Sequence, residues 1–94
     1  FFPDLAFREE TQLRLALALE RQGHRPSAQR ALAIYLALFP DSEQHSLALM
    51  RAARLEESED PDRARALYRS QLERFPQSPY RNLARRALQE LAEV

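Results

Sequence analysis

The tripeptide Phe39-Pro40-Asp41 has near copies at Phe2-Pro3-Asp4 and Phe75-Pro76-Gln77. The prolines of these copies are 37 and 36 residues apart (3 to 40, then 40 to 76). Proline stops a helix because it lacks an N–H group and clashes with the preceding turn. A repeat of this length in helical sequence predicts a solenoid, in which each unit buries its apolar face against its neighbours. Solenoids present extended surfaces, so the pattern favours a function in binding.

Composition excludes several classes of protein. A chain of 94 residues makes one small domain. Fourteen arginines and no lysines are interleaved with 14 acidic residues, and this balance argues against a nucleic-acid binder. The absence of cysteine excludes disulfides and thiolate metal sites. The longest apolar run, residues 31–39, is well short of the roughly 18 residues that a membrane span requires, so we expect no membrane insertion.

Helix-breaking proline and glycine residues divide the chain into predicted helices. Capping residues stand at Asp4, at Asp41 or Ser42, at Asp60 and at Ser78, and Gly23 marks a left-handed turn after the first helix. No stretch alternates with a period of two, so no sheet is expected. The sequence predicts a single all-α domain over residues 1–94, with five helices. They form a pair over about 4–39, a pair over about 41–75 and a capping helix over about 78–93.

Apolar side chains form a stripe along each predicted helix. The width of that stripe predicts how much of the helix surface is covered by other elements. The second helix is apolar throughout residues 31–39, which predicts neighbours on several sides. The fifth helix has a narrow stripe, which predicts a terminal cap and the end of the stack. The first helix is apolar around most of its circumference, so part of its surface must face something other than the second helix.

Residues at matching offsets in the two helix pairs resemble the tetratricopeptide repeat family, whose unit is two antiparallel helices with small residues where they cross. The small residues are Ala16 and Ala28 in the first pair and Ala52 and Ala64 in the second. The further matching positions are Leu15, Leu19, Gly23, Leu32 and Pro40 in the first unit and Leu55, Tyr68 and Pro76 in the second. The resemblance implies a right-handed α-solenoid of two helix pairs plus a capping helix.

The period and the segment 75–80 are similar to bacterial cell-envelope members of that family, including the Tol–Pal-associated coordinator and the outer-membrane-assembly lipoproteins. An arginine-only basic composition is typical of a GC-rich bacterial genome. The resemblance therefore favours the periplasm or envelope over the cytoplasm. Because the chain begins at Phe1 without a signal peptide, we interpret it as a fragment of a longer or processed protein.

In this family the first helix of each repeat lines a concave groove that binds proteins or peptides. The resemblance implies that the groove of this chain is lined by Glu10, Leu13, Leu17, Glu20, Arg21, Ser46, Leu49, Ala53, Glu56, Glu57, Asn82, Arg85 and Gln89. Apart from the family resemblance, the apolar stripes of the helices do not assign Leu13, Leu17 and Leu49 to the core. An apolar floor with an acidic rim would suit a peptide with aliphatic and basic residues. Alternatively, Leu13 and Leu17 pack against a preceding segment or under Phe1, Phe2 and Phe7.

Other chemistry is sparse in the sequence. His24 and His45 are isolated from further ligands, so we expect two solvated histidines rather than a metal site. The acidic residues between 56 and 62 lack the ordered alternation and the glycine of a calcium loop. No nucleophile elbow, phosphate loop or metalloprotease helix is present, so we expect no catalytic activity and no cofactor.

Two hypotheses about function follow. The first is a non-catalytic scaffold module that binds a protein or peptide through a concave groove. The second is a structural domain that packs within a larger bacterial protein, or that forms a homodimer through the first helix. The exposure of Leu13 and Leu17 discriminates between the two hypotheses.

Overall fold

A computed structural model describes residues 5–92, and these form five α-helices with no strand among them. The helices are α1 (Leu5–Arg21), α2 (Arg25–Leu38), α3 (His45–Glu56), α4 (Pro61–Arg74) and α5 (Arg81–Ala92). The predicted all-α class, with two helix pairs followed by a fifth helix, is confirmed. The expected cap at Asp4 lies outside the described residues.

The chain divides into two compact units, Phe1–His45 and Ser46–Val94. The first unit contains α1 and α2, and the second contains α3, α4 and α5. In the first unit, Gln12 of α1 donates from Nε2 to the carbonyl oxygen of Ala31 in α2 at 3.2 Å. Ala16 and Ala28 are fully buried, which agrees with their predicted place where α1 and α2 cross.

The turn between α1 and α2 has the predicted geometry. Gly23 has a φ of 81°, in the left-handed region that side chains disfavour. The N–H of His24 bonds to the carbonyl of Leu19, and the N–H of Gly23 bonds to that of Glu20. These two bonds form a Schellman motif, which satisfies carbonyl groups left open at the end of α1.

The start of α4 also follows the sequence prediction. The Oδ1 atom of Asp60 accepts a hydrogen bond from the N–H of Arg63 at 3.1 Å, and Pro61 occupies the first turn. Helix α2 begins in a similar way with Pro26 in its first turn, although His24 provides no side-chain cap.

The predicted starts of α3 and α5 are wrong by about three residues. Ser42 and Ser78 do not cap these helices directly, because α3 begins at His45 and α5 at Arg81. Instead, the Oγ atom of each serine accepts a hydrogen bond from the N–H two residues later, in Gln44 and in Tyr80. Each serine therefore closes a turn that precedes its helix, a local hydrogen bond that competes with helix formation.

Both units contain a polar junction built from equivalent positions. In the first unit, the Tyr35 hydroxyl contacts the Ser42 hydroxyl at 2.5 Å, and both groups donate to Glu9. Thirty-six residues later (35 to 71, and 42 to 78), Gln71 and Ser78 stand at the same places. There the Ser46 hydroxyl bonds to Gln71 Oε1 at 2.7 Å and to the Ser78 hydroxyl at 2.8 Å, and Gln71 Nε2 donates to the Ser46 carbonyl.

The junction of the second unit establishes the direction of its helices. Ser46 lies at the start of α3, Gln71 lies near the end of α4, and Ser78 immediately precedes α5. At the other end, Arg65 in the first part of α4 donates to the carbonyl of Leu91 in the last turn of α5. Helices α3 and α5 therefore run in the same direction, and α4 is antiparallel to both.

The core of the second unit combines small and large side chains. Ala53, Ala64 and Ala84 are fully buried, and they form one cluster with Met50 and Tyr68. The predicted stripe of α5 packs against this cluster through Tyr80, Ala87, Leu88 and Leu91.

The prediction that neighbouring elements enclose the second helix on several sides is wrong. Helix α2 is not enclosed on several sides along residues 31–39, because Ile34 and Leu38 are exposed to solvent. Leu15 of α1 is exposed as well, as the excess apolar surface of that helix suggested. Periodicity identifies an apolar position, but it does not show whether another element covers that position.

Candidate functional site

Residues of α3, α4 and α5 in the second unit line a cavity of about 200 Å³. We call it the unit 2 groove. Helix α3 contributes one wall, helix α5 contributes the opposite wall, and a tyrosine of α4 lies between them. The lining residues are Met50, Arg54, Glu57, Tyr68, Leu83, Arg86, Ala87 and Glu90.

Helical spacing explains why each wall presents one set of side chains to the groove. Met50 and Arg54 are four residues apart, so they lie along one face of α3, and Glu57 follows in the turn directly after that helix. On α5, Leu83, Ala87 and Glu90 are four and three residues apart. Leu83 is 51% exposed, so the groove offers an accessible apolar surface as well as charged groups.

The tyrosine in the groove is held in one orientation. Its hydroxyl donates a hydrogen bond to Oε1 of Glu57, and Tyr68 as a whole is only 1% exposed. Burial raises the pKa of Tyr68, and the bond to Glu57 and the negative charges of Glu57 and Glu90 raise it further, against a smaller opposing effect of Arg54. The phenol is therefore neutral at physiological pH, and it directs the Glu57 carboxylate towards the groove.

The predicted site residues in the second unit only partly line this groove. Glu57 does line it, but Leu49 and Ala53 are buried, with Leu49 only 3% exposed. The expectation that Leu49 lies outside the core is therefore wrong. Glu56 forms an ion pair with Nε of Arg63 at 3.5 Å. The remaining predicted positions are Ser46, which belongs to the polar junction, and Asn82, Arg85 and Gln89, which are exposed outside the lining.

In the first unit, the predicted site residues differ widely in exposure. Leu13 is 8% exposed and belongs to the core, contrary to the expectation from its stripe, whereas Leu17 and Glu20 are half-buried. Glu10 is exposed and forms an ion pair with Arg14. Arg21 is exposed at the end of α1. The alternative cover by Phe1, Phe2 and Phe7 concerns side chains outside the described part of the structure.

Along α3, the residues that the sequence predicted to line the groove lie one position before the residues that do line it. Sequence reasoning selected Leu49 and Ala53, whereas Met50 and Arg54 face the cavity. It also carried the 36-residue period of the repeat onto α5. The lining residues match at a spacing of 33 residues (50 to 83, 54 to 87, and 57 to 90), and two pairs also keep the spacing of 36 (50 to 86, and 54 to 90). The spacing of 33 residues is visible in the sequence and could have identified the α5 wall.

The acidic residues considered as possible metal ligands make structural contacts instead. Asp60 caps α4, and Asp62 pairs with Arg65. Among the described residues, no group of three or more His, Asp or Glu side chains could hold a metal ion. His24 is exposed as predicted, but the prediction of a solvated His45 is wrong. His45 is 2% exposed, and its Nδ1 atom lies 3.0 Å from the carbonyl oxygen of Phe39.

Comparison with known proteins adds a family to this geometry. The family model described as tetratricopeptide repeat matches residues 10–42 and 47–78, which together make up more than half of the chain. No curated protein and no solved structure matches the chain. Across residues 5–92, no helix has both the length and the apolar character that crossing a membrane requires. The two matched segments cover the α1–α2 and α3–α4 pairs, and the chain therefore belongs to the tetratricopeptide repeat family.

Proposed function

We propose that this chain is a non-catalytic scaffold module that binds a protein or peptide through the unit 2 groove. Tetratricopeptide repeats generally mediate protein–protein interactions, and the family is typically non-catalytic. The observation that carries the proposal is the half-exposed Leu83 beside Met50 and Ala87, with four charged side chains around them. Buried apolar contacts supply affinity at such sites, and the surrounding charges orient the partner.

The size of the groove supports a peptide over a small-molecule ligand. Its volume of about 200 Å³ is below the roughly 300–1,000 Å³ that small-molecule sites occupy. A cavity of this size takes a few side chains from a longer segment, whose remaining length lies along the helices.

A display selection would test this proposal. A library of random peptides is selected on the unmodified chain and then screened against Leu83→Asp. Leu15→Asp is the matched control, because Leu15 is 50% exposed and Leu83 is 51% exposed, and Leu15 does not line the groove. We expect the selected peptides to lose binding to Leu83→Asp and to keep binding to Leu15→Asp. Both variants should keep a helical circular dichroism spectrum, since each position is half-exposed.

Two outcomes would contradict the proposal. Peptides that bind Leu83→Asp as well as they bind the unmodified chain would place the binding surface elsewhere. The α1 residues Leu17, Glu20 and Arg21 would then be the next candidates. Equal losses in both variants would indicate a general effect of the added charge rather than a groove.

A second candidate function is self-association through the first unit. Leu15, Ile34 and Leu38 are exposed apolar side chains of that unit, and such side chains are often covered in an assembly. This surface includes α1, so a homodimer through that helix is the specific form of the proposal. Leu13 does not belong to the surface, because it is buried.

We also propose a cellular compartment for the chain, the bacterial envelope. Assignment to a bacterial envelope protein is supported by the arginine-only basic composition and by the segment 75–80. That segment also has a structural role, because it ends α4 and provides Ser78 for the turn before α5.

A further inference from the structure

The charges of the unit 2 groove are arranged in levels along its length. Helices α3 and α5 run in the same direction, so along both walls an apolar residue is followed by an arginine and then by a glutamate. Met50 and Leu83 come first, Arg54 and Arg86 come next, and the carboxylates of Glu57 and Glu90 follow. At a rise of about 1.5 Å per residue, Met50 and Arg54 are about 6 Å apart along α3, and Ala87 and Glu90 are about 4.5 Å apart along α5.

The charged groups are available for a ligand. Within residues 5–92, neither Arg54 nor Arg86 forms an ion pair, and Glu90 forms none either. Glu57 accepts a hydrogen bond from the Tyr68 hydroxyl through one oxygen, which fixes its carboxylate and leaves the second oxygen open. The groove thus presents an apolar level, a positive level and a negative level in a fixed order.

We propose that the groove binds a helical segment of a partner protein that presents an aliphatic, an acidic and a basic side chain in that order along one face. This inference rests on the proposed function and specifies the partner of the same site. The aliphatic side chain contacts Met50, Leu83 and Ala87. The acidic side chain lies between Arg54 and Arg86, and the basic side chain lies between Glu57 and Glu90.

A helix fits the spacing of the levels better than an extended segment does. Side chains on one face of a helix recur at three and four residues, which reproduces separations of about 4.5 and 6 Å. Side chains on one face of a strand recur at about 6.6 Å, which matches only the longer separation. A partner parallel to α3 would place the aliphatic, acidic and basic residues at i, i+4 and i+7. An antiparallel partner would carry the same residues in reverse order.

Three synthetic peptides of about 18 residues test the order of charges, a length at which alanine-rich peptides form helices. The first carries leucine, glutamate and lysine at i, i+4 and i+7 in an alanine–glutamine background. The second has the reversed sequence, and the third has the glutamate and the lysine exchanged. Acetylated and amidated ends remove the terminal charges, so a free carboxylate cannot dominate binding. Binding is measured by calorimetry with the full 94-residue chain.

We expect the first or the second peptide to bind at least about tenfold more tightly than the charge-exchanged peptide. Arg54→Glu with Arg86→Glu should reduce that ratio to about one, since the positive level becomes negative. Arg69→Glu with Arg81→Glu is the matched control, because it makes the same change of charge at exposed positions outside the groove. The control should keep the full ratio.

Several results would overturn the inference. They are equal affinity for all three peptides, no binding of any of them, or a ratio that survives in the Arg54→Glu, Arg86→Glu variant. If peptides from the display selection still depend on Leu83 in that case, the proposed function stands and only the charge order is wrong. If peptide affinity does not change in Leu83→Asp, the proposed function fails as well. A concentration-dependent dimer that is dispersed by Leu83→Asp would instead identify a second copy of the chain as the occupant.

Discussion

Raising the pH above 10 should destabilise this chain, and Tyr68→Phe should remove a defined part of that loss. The Tyr68 side chain is almost fully buried, and burial, followed by the bond to Glu57, raises its pKa. Burial also raises the pKa of Tyr35, which contacts Ser42 and Glu9 in the other unit. Lysine, which would titrate in the same pH range, is absent from the sequence, and arginine stays charged there.

The sign and the size of the effect follow from linkage. A tyrosine in the unfolded chain has a pKa of about 10, so it loses its proton above that pH, whereas the folded chain keeps Tyr68 protonated. The free energy of unfolding is therefore unaffected below pH 10 and falls as the pH rises beyond it. At pH 11 the unfolded tyrosine is about 90% ionised, so the expected loss approaches about 1.4 kcal/mol for Tyr68.

Urea unfolding at pH 9 and pH 11 measures this loss. At pH 9, Tyr68→Phe should itself cost about 1 kcal/mol, because the hydrogen bond to Glu57 is gone. The informative quantity is therefore the change between the two pH values. We expect the unmodified chain to lose about 1.4 kcal/mol more than Tyr68→Phe does. Equal losses in the two proteins would refute the argument, since they would mean that Tyr68 ionises equally in the folded and unfolded chains.

Two further predictions concern packing and association. Ala64→Leu should overpack the fully buried position on α4 and lower the free energy of unfolding by about 1–3 kcal/mol, while the exposed Ala66→Leu should change it by less than about 0.5 kcal/mol in the same urea experiment. A similar cost at both positions would contradict the assigned core. Sedimentation velocity over a range of concentrations should show self-association that Leu15→Glu with Ile34→Glu abolishes. A monomer at every concentration would remove the second candidate function.

The helix boundaries at Gly23 and Asp60 were more predictable than those near Ser42 and Ser78, for a local reason. Gly23 and Asp60 act through their own backbone or side-chain geometry, so residue type and position were sufficient to predict the left-handed turn and the cap. Ser42 and Ser78 are also good capping residues. Their hydroxyls instead close a turn and join a polar junction with residues far away in the sequence. The choice between these roles depends on tertiary contacts, which the local sequence does not contain.

The polar junctions show how the repeat preserves geometry while changing its chemistry. Tyr35 and Gln71 occupy equivalent positions, and both are fully buried with their polar atoms satisfied. One uses a hydroxyl that reaches Glu9, and the other uses an amide that reaches the backbone and hydroxyl of Ser46. A pattern of apolar positions cannot identify such a pair, because neither side chain is a typical core residue.

The position of the groove depends on the repeat period and on the packing of the helices. A period of 36 residues relates one helix pair to the next, and it correctly aligns the buried Ala52 and Ala64 with Ala16 and Ala28. The two walls of the groove, however, belong to α3 and α5, whose relative position depends on how both pack against α4. Ala53, Ala64 and Ala84 lie in one buried cluster, and residues 33 positions apart, such as Met50 and Leu83, line the same groove. The sequence predicted Glu57 as a lining residue, but it selected Arg85 and Gln89, each one residue before Arg86 and Glu90, just as it selected Leu49 and Ala53 on α3. A shift of one residue turns a helical position by about 100°, which is enough to separate a buried face from the face that lines the groove.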